Sequence, residues 1–490
     1  MRSASVVGLL GLVGLAGCAS AQAAPRTPMP VADQGTAAAP TAVAVGSQPV
    51  ATDDPGPVQT QGPWIHAEPD SDVVLARGGD GYIGVWVDVP AMAKTRVRTP
   101  VDLALLIDVS GSMEGAKIQA ARQSARSLVE RLADGDILSV DVFSDSARSL
   151  VPPVRLTPET RARILSTIAE LGTGGSTNMF EGLVMAERHI AQGPNSAGMQ
   201  PIRRIVLISD GQANVGPSSP DALGELAQRA LTLGAQVTSL GVGLDYDERT
   251  LDAIAERTSG RLFHVGDPRE MEATLEHEIG LLSSTVADQA VIEIVPAPGV
   301  ELQAIEGARM EWGSGRVARI PLGALYAGQH REALVRVRLS GAAAGTQRAI
   351  ASVRLTFQDP QENDVERVQE VLARAATSDD PGAVAQHASA QTHAMIATLE
   401  AAKTELQAAQ DVGAGNFAQA QSQLAAVELN LREESSRTRD ASAKKKLDAA
   451  AQTVAAARGH ATAAAAAPAP AAARADVLEM NKGAMGQLGY

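Results

Sequence analysis

The chain has 490 residues, enough for two or three domains with cores of their own. Its 42 Lys and Arg against 56 Asp and Glu give a formal net charge of −14, so the basic footprint of a nucleic-acid binder is missing. Aromatic residues make up only 2%, which disfavours a stacking platform for bases or sugars and leaves charge and metal as means of recognition.

The N-terminus reads as an export signal: Arg2, an apolar stretch from Val6 to Ala16, then small residues. The apolar stretch is too short for a stable membrane span. Leu15-Ala16-Gly17-Cys18 resembles the lipobox of bacterial lipoproteins, and the resemblance implies a signal peptide over residues 1–17 and Cys18 as the lipidated first residue. Cleavage by the ordinary signal peptidase after Ala21-Gln22-Ala23 also fits the small-x-small rule, and either route exports the protein. In a host with two membranes, Ala19 and Ser20 lack the Asp that resembles an inner-membrane retention signal, so anchoring at the outer membrane is expected. Cys18 is the single cysteine, so the exported domains depend on packing and bound metal rather than on disulfides. Residues 18–63 are Ala, Pro, Thr, Gln and Gly with few large apolar side chains, the composition of a disordered tether.

A half-buried strand follows, with Ile83, Val85, Val87 and Val89 on one face at period two, and an earlier strand is expected near Val73 to Ala76. From Pro100 apolar strands alternate with amphipathic helices, which predicts an α/β domain with a doubly wound, mostly parallel sheet. Its strands are expected at Val101–Ile107, Ile137–Phe143, Ile205–Ser209, Gln236–Leu240 and Leu262–Val265, and Ile118, Ala121, Ala125, Leu128 and Leu132 mark one helical face. Thr157-Pro158, Ser219-Pro220 and Asp267-Pro268 each pair a capping oxygen with proline at the first helical position. The last of these helices carries Met271, Leu275, Ile279 and Leu282 inward and should end near Thr285. Period-two alternation then returns around Ile292, Val335 and Val353, predicting an antiparallel β-sandwich with arginines toward solvent. The strands before Pro100 cannot build a core alone, so the α/β domain (99–285) should be inserted in a sandwich formed by 64–98 and 286–358. Residues 361–460 read as a helical hairpin or bundle, with Phe417, Ala420 and Leu424 on a packing face like that of a tetratricopeptide-type hairpin. Residues 461–490 read as a low-complexity tail.

The chemistry concentrates at Asp108-Val109-Ser110-Gly111-Ser112, where a buried strand surfaces. A carboxylate and two hydroxyls make half a site for a hard divalent cation. Gly174-Gly175-Ser176-Thr177 adds a hydroxyl in a Gly-rich loop, and Ser209-Asp210-Gly211 adds a second carboxylate after another buried strand. Loops at the carboxyl ends of parallel strands form the crevice of such sheets, so position supports chemistry. Asp108 and Asp210 bring two negative charges, while Ser110, Ser112 and Thr177 bring none. Mg²⁺ or Mn²⁺ held so would keep a coordination position for an external Asp or Glu carboxylate. Taken singly, Asp108 reads as a capping residue, Ser110 and Ser112 as loop hydroxyls, Thr177 as the N-cap of the helix that follows, and Asn178 as a turn residue.

Together, Asp-x-Ser-x-Ser, a later Thr and a later Asp-Gly resemble the von Willebrand factor A domain with its metal-ion-dependent adhesion site, over roughly residues 99–285. The five family positions fall on Asp108, Ser110, Ser112, Thr177 and Asp210 without a substitution, and the resemblance implies hydroxyls on the ion and aspartates acting directly or through water. Ser209-Asp210-Gly211-Gln212-Ala213-Asn214-Val215-Gly216 and Pro321-Leu322-Gly323-Ala324-Leu325-Tyr326-Ala327-Gly328 are similar to a bacterial exported subgroup, itself similar to inter-alpha-trypsin inhibitor heavy chains. The resemblance implies an envelope-anchored binding protein, with a lipid anchor, a protein ligand presenting a carboxylate, and neither nucleic acid nor a small-molecule cofactor.

Enzyme readings fare worse. Gly111 to Ile118 departs from a phosphate-binding P-loop in glycine spacing, and no Ser or Thr follows Lys117. There is no Gly-x-Ser-x-Gly elbow, and His189 and His264 have no recognisable nucleophile near them in sequence. A non-enzyme is therefore expected. The rival is an envelope scaffold acting through its helical region with a structural metal, and behind it a metal-dependent hydrolase.

Overall fold

The computed structural model describes residues 63–91, 98–193, 200–210, 212–243, 246–466 and 470–488. The expected signal peptide, Cys18 and nearly all of the tether lie outside the described residues.

Three strands open the fold: β1 (Ile65–Pro69), β2 (Val73–Leu75) and β3 (Gly79–Asp88). The α/β unit then runs β4 (Val101–Asp108), α1 (Ala116–Arg131), β5 (Ile137–Phe143), β6 (Ala147–Arg155), α2 (Pro158–Ala169), α3 (Met179–Gln192) and β7 (Ile202–Ser209). It continues with α4 (Pro220–Gln228), β8 (Ala235–Val242), α5 (Glu248–Arg257), β9 (Arg261–Val265) and α6 (Met271–Ser283). The strand order is β6-β5-β4-β7-β8-β9, parallel throughout except for β6. Every residue of β4, β5 and β8 is buried, as a parallel sheet covered on both faces requires. Leu103, Leu105 and Ile107 pack on one side with Ile118, Leu128, Ile164 and Leu275; Ala104 and Leu106 pack on the other with Leu183, Leu226 and Ile254. Thr157 and Ser219 cap α2 and α4 as their sequence context implies. Strand β6 was not expected, because Pro152 and Pro153 interrupt its ladder; at the sheet edge the missing N–H groups cost little.

The sandwich follows with β10 (Thr285–Pro296), β11 (Val300–Glu306), β12 (Glu311–Trp312), β13 (Ala318–Tyr326), β14 (His330–Leu339), β15 (Gln347–Asp359) and β16 (Val365–Ser378). One sheet has the order β1-β3-β14-β11 and the other β12-β13-β10-β15-β16-β2. Early strands thus lie in both sheets, and the α/β unit is inserted between them. Their shared core includes Trp64 stacked on Phe357 at 4.6 Å. Strand β16 corrects the expectation of helix from residue 361. Its inward positions include Arg367, paired with Glu362, and Gln369, whose Oε1 accepts the Trp64 N–H at 2.6 Å, so polar residues mask the alternation.

The inserted unit is pinned to the sandwich. Arg98 donates to both oxygens of Asp136 at 2.7 and 2.8 Å, and Gln236 Oε1 accepts the Ala324 N–H at 3.1 Å. Beside it Gly323 has φ +69°, and a Cβ there would stand 1.8 Å from Gln236 Nε2. Gly323→Ala should therefore cost about 2–3 kcal/mol through left-handed strain plus this clash. A denaturation midpoint equal to wild type would refute that expectation.

Helices α7 (Pro381–Gln386), α8 (Ala390–Gly413), α9 (Phe417–Arg437), α10 (Ala441–Ala466) and α11 (Pro470–Leu488) complete the chain as a bundle. Ala420 and Leu424 are fully buried, as the hairpin pattern implies. The expected low-complexity tail is instead helical: alanine is the strongest helix former, and α11 buries Met480 and Ala484 against its neighbours. The bundle rests on the sandwich through Trp86, Leu334, Met395 and Leu399. No helix among the described residues is long and apolar enough to cross a membrane.

Glu405 is fully buried where α8 meets α11, and Gln487 Nε2 donates to it at 2.6 Å. Burial pushes its carboxyl up from 4.5 to about 7. The folded chain then keeps a proton that the unfolded chain releases, so stability declines as pH rises from about 4.5 to about 7 and is level above. Glu405→Gln should remove a slope worth up to roughly 3 kcal/mol. Melting curves at pH 5 and pH 8 measure it, and parallel pH dependence in both proteins would contradict it.

Candidate metal centre

Strand β4 delivers Asp108 to the carboxyl edge of the sheet with no solvent exposure. Its Oδ1 accepts the Ser110 N–H at 2.8 Å, and its Oδ2 accepts the Ser209 hydroxyl at 2.6 Å. The hydroxyls of Ser110 and Ser112 lie 3.1 Å apart, and Ser112 Oγ donates to Asp210 Oδ1 at 2.8 Å. The Lys117 ammonium, from the first turn of α1, holds Asp210 Oδ2. Four of the five expected residues therefore form one continuous hydrogen-bonded chain.

Thr177 is brought to the same edge by its backbone. Gly111 N–H donates to Gly175 O at 3.0 Å and Gly174 N–H to Val109 O at 2.8 Å, zipping the first two loops together. Asn214, from the loop after Asp210, accepts the Thr177 N–H at 2.8 Å and donates its own N–H to Thr177 O at 3.0 Å. Gly175 adopts φ +83°, and a Cβ there would stand 2.5 Å from an Asp145 oxygen. Asp145 in turn accepts the Ser176 N–H at 2.8 Å, and this bond holds its carboxyl below the usual range. The helix cap expected of Thr177 falls instead to Asn178, whose Oδ1 accepts the Glu181 N–H at 3.2 Å while its Nδ2 donates to Asp145 O. Asn178 orders the loop, and the Thr177 hydroxyl has no capping duty.

The donor set fits a small hard cation. Burial raises the Asp108 carboxyl despite hydrogen bonds from Ser209 and Ser110, and the neighbouring charge of Asp210 raises it further. Two buried carboxylates that repel each other are what a divalent ion neutralises, and the remaining candidates are neutral hydroxyls. Among the described residues no group of three or more His, Cys, Asp and Glu side chains gathers as a metal site. The oxygens the loops bring together are carboxylate and hydroxyl oxygens, the ligand type that hard divalent cations take.

Sequence reading missed Ser209, Lys117, Asn214 and Asp145. Ser209 is one residue from Asp210, but only the parallel pairing of β4 with β7 sets its hydroxyl against Asp108. Lys117 reads in sequence as one more cation on a helix. His264 sits on the edge strand β9, where Tyr246 bonds its ring and burial pulls it down to about 4.

A Rossmann-like, mostly parallel sheet flanked by helices, with hydroxyls and carboxylates gathered at its carboxyl edge, is the fold class of this unit. Residues 102–277 match the profile of the von Willebrand factor type A domain, and the α/β unit is such a domain. An uncharacterized protein of Synechocystis sp. is 25% identical over 335 residues, covering 66% of this chain and 78% of the relative. Human inter-alpha-trypsin inhibitor heavy chain H3 is 25% identical over 164 residues, 33% of this chain and 18% of that protein. Against other curated relatives the chain spans less than half of their length. Among solved structures, a von Willebrand factor type A protein from Catenulispora acidiphila aligns with a TM-score of 0.66 at 18% identity, covering 80% of this chain and 89% of that one. That likeness extends the shared fold beyond the α/β unit.

Proposed function

We propose that the protein binds a protein ligand at the cell envelope through a divalent cation, Mg²⁺ or Mn²⁺, held by Asp108, Ser110, Ser112, Thr177 and Asp210. The observation that carries this reading is the hydrogen-bonded run from Asp108 through Ser110 and Ser112 to Asp210 at one sheet edge. A bound cation supplies Lewis acidity at a position these residues leave open, and an Asp or Glu carboxylate of the partner fills it. The chain's own part is to hold the oxygens in place: Ser209 fixes Asp108, Asn214 fixes the Thr177 loop, and the Gly174–Gly175 turn lets the loops close. The reading is of a binding protein, in which these hydroxyls and carboxylates serve as cation ligands. Lipidation at Cys18 would place it on the membrane, at the outer membrane of a two-membrane host.

A scaffold reading draws on the bundle, where Leu429 on α9 is 58% exposed. Capture from envelope extract separates the two. Wild type in Mg²⁺ should retain a partner that is lost with EDTA and with Asp108→Ala. A partner that survives both treatments overturns metal-mediated capture and supports the scaffold.

A further inference from the structure

Asp210 already has a cation. Its side chain is fully buried, Ser112 occupies Oδ1, and the ammonium of Lys117 occupies Oδ2. Lys117 reaches there across the carboxyl edge of the sheet. A Cβ on Gly243, the residue after β8, would stand 3.4 Å from Lys117 Cε and 3.5 Å from Nζ, so the ammonium lies over bare backbone at a glycine with φ +96°. The lysine side chain is 31% exposed, and its flexible stem leaves a route to solvent.

Charge counting gives this contact a consequence. Asp108 and Asp210 carry −2 between them, and Lys117 reduces this to −1 in the metal-free chain. A divalent ion brings the site to neutrality without the lysine and to +1 with it. An ion approaching Asp210 thus meets an oxygen that is already compensated and an ammonium that repels it. Removing the lysine charge would both leave the metal-free carboxylates uncompensated and lift that repulsion, and the two effects favour loading together.

We propose that Lys117 is a resident surrogate cation, which holds Asp210 in the metal-free chain and must be displaced toward solvent when a divalent ion loads, so that it sets the metal affinity. The proposal rests on the reading of the five oxygen ligands as a metal centre. Lys117 acts through Asp210 and is a positioning residue, not a ligand.

Titration calorimetry of Mg²⁺ into the full chain tests it, comparing wild type, Lys117→Met, Lys117→Gln, Lys117→Arg and Asp108→Ala. Both neutral variants should bind Mg²⁺ about tenfold more tightly or better. Lys117→Arg should stay near wild type, and Asp108→Ala should not bind. Without metal the neutral variants should melt below wild type, and saturating Mg²⁺ should narrow that gap. Equal or weaker Mg²⁺ binding in the neutral variants, with binding still lost in Asp108→Ala, overturns the surrogate role and leaves the metal centre standing. Absence of Mg²⁺ binding in wild type and in both neutral variants overturns the metal centre, and this inference with it.

Discussion

Asp108→Asn is expected to abolish stabilisation by Mg²⁺ while leaving the metal-free fold intact or slightly firmer. The amide keeps an oxygen for the Ser110 N–H, which now bonds Oδ1 at 2.8 Å, and it occupies the same buried space. What it removes is a fully buried charge that burial and Asp210 both disfavour. The metal-free protein therefore loses an unfavourable element, whereas the cation loses half of its formal counter-charge. Affinity should fall by more than about 100-fold, on the scale over which ligand charge tunes hard-cation sites. With Mg²⁺ at 100 times its dissociation constant the wild type should gain about 2.7 kcal/mol, and the variant none. Melting curves with and without Mg²⁺ measure both quantities. An equal shift in the two proteins would remove Asp108 from the site, and a collapse of the metal-free variant would show its carboxylate to be structural.

Arg204→Met should produce the largest loss of stability. Arg204 lies on β7 with 1% exposure, donates to Tyr326 Oη at 2.7 Å across the joint with the sandwich, and faces Glu278 of α6 at 3.6 Å. Glu278 is fully buried, and besides Arg204 its side chain takes the Thr238 hydroxyl at 2.7 Å. Asp288, raised to about 6 by burial, also depends on the arginine charge. Methionine would fill the volume but leave two acids in a low-dielectric joint, a situation that costs about 3–5 kcal/mol. The loss should shrink toward acid pH, where Asp288 takes up a proton, and Arg204→Met with Glu278→Gln should recover much of it. Urea denaturation at pH 5 and pH 8 reads all three proteins. A single variant as stable as wild type at pH 8 would show that the joint does not rely on this pair.

The architecture was legible where one periodicity ruled a segment. The apolar run of β4 and the alternation of β3 announce their sheets, because both faces of one and one face of the other meet mainly apolar partners. Strand β16 was hidden because its buried face carries Arg367 and Gln369, whose compensation by Glu362 and Trp64 exists only after folding. Helix α11 was hidden by composition: an alanine tract is a helix or a linker depending on whether neighbouring helices cover it. At the site, the five ligand candidates could be named because they lie at strand ends or in a Gly-rich loop. The residues that hold them could not, since Lys117 and Asn214 meet their partners across separate loops.

The insertion has a mechanical meaning. The candidate site lies at one end of β4, and the chain enters at the other, seven residues away and so roughly 23 Å. It leaves there too, as α6 ends at Ser283 and β10 begins at Thr285. Arg98 clasps the two crossings together, donating to Asp136 and, at 3.4 Å, to Ser283 Oγ. A partner tugging at Asp108 would load the central strands lengthwise, shearing many interstrand bonds at once instead of peeling them singly. The tension then divides between two peptide crossings into the sandwich.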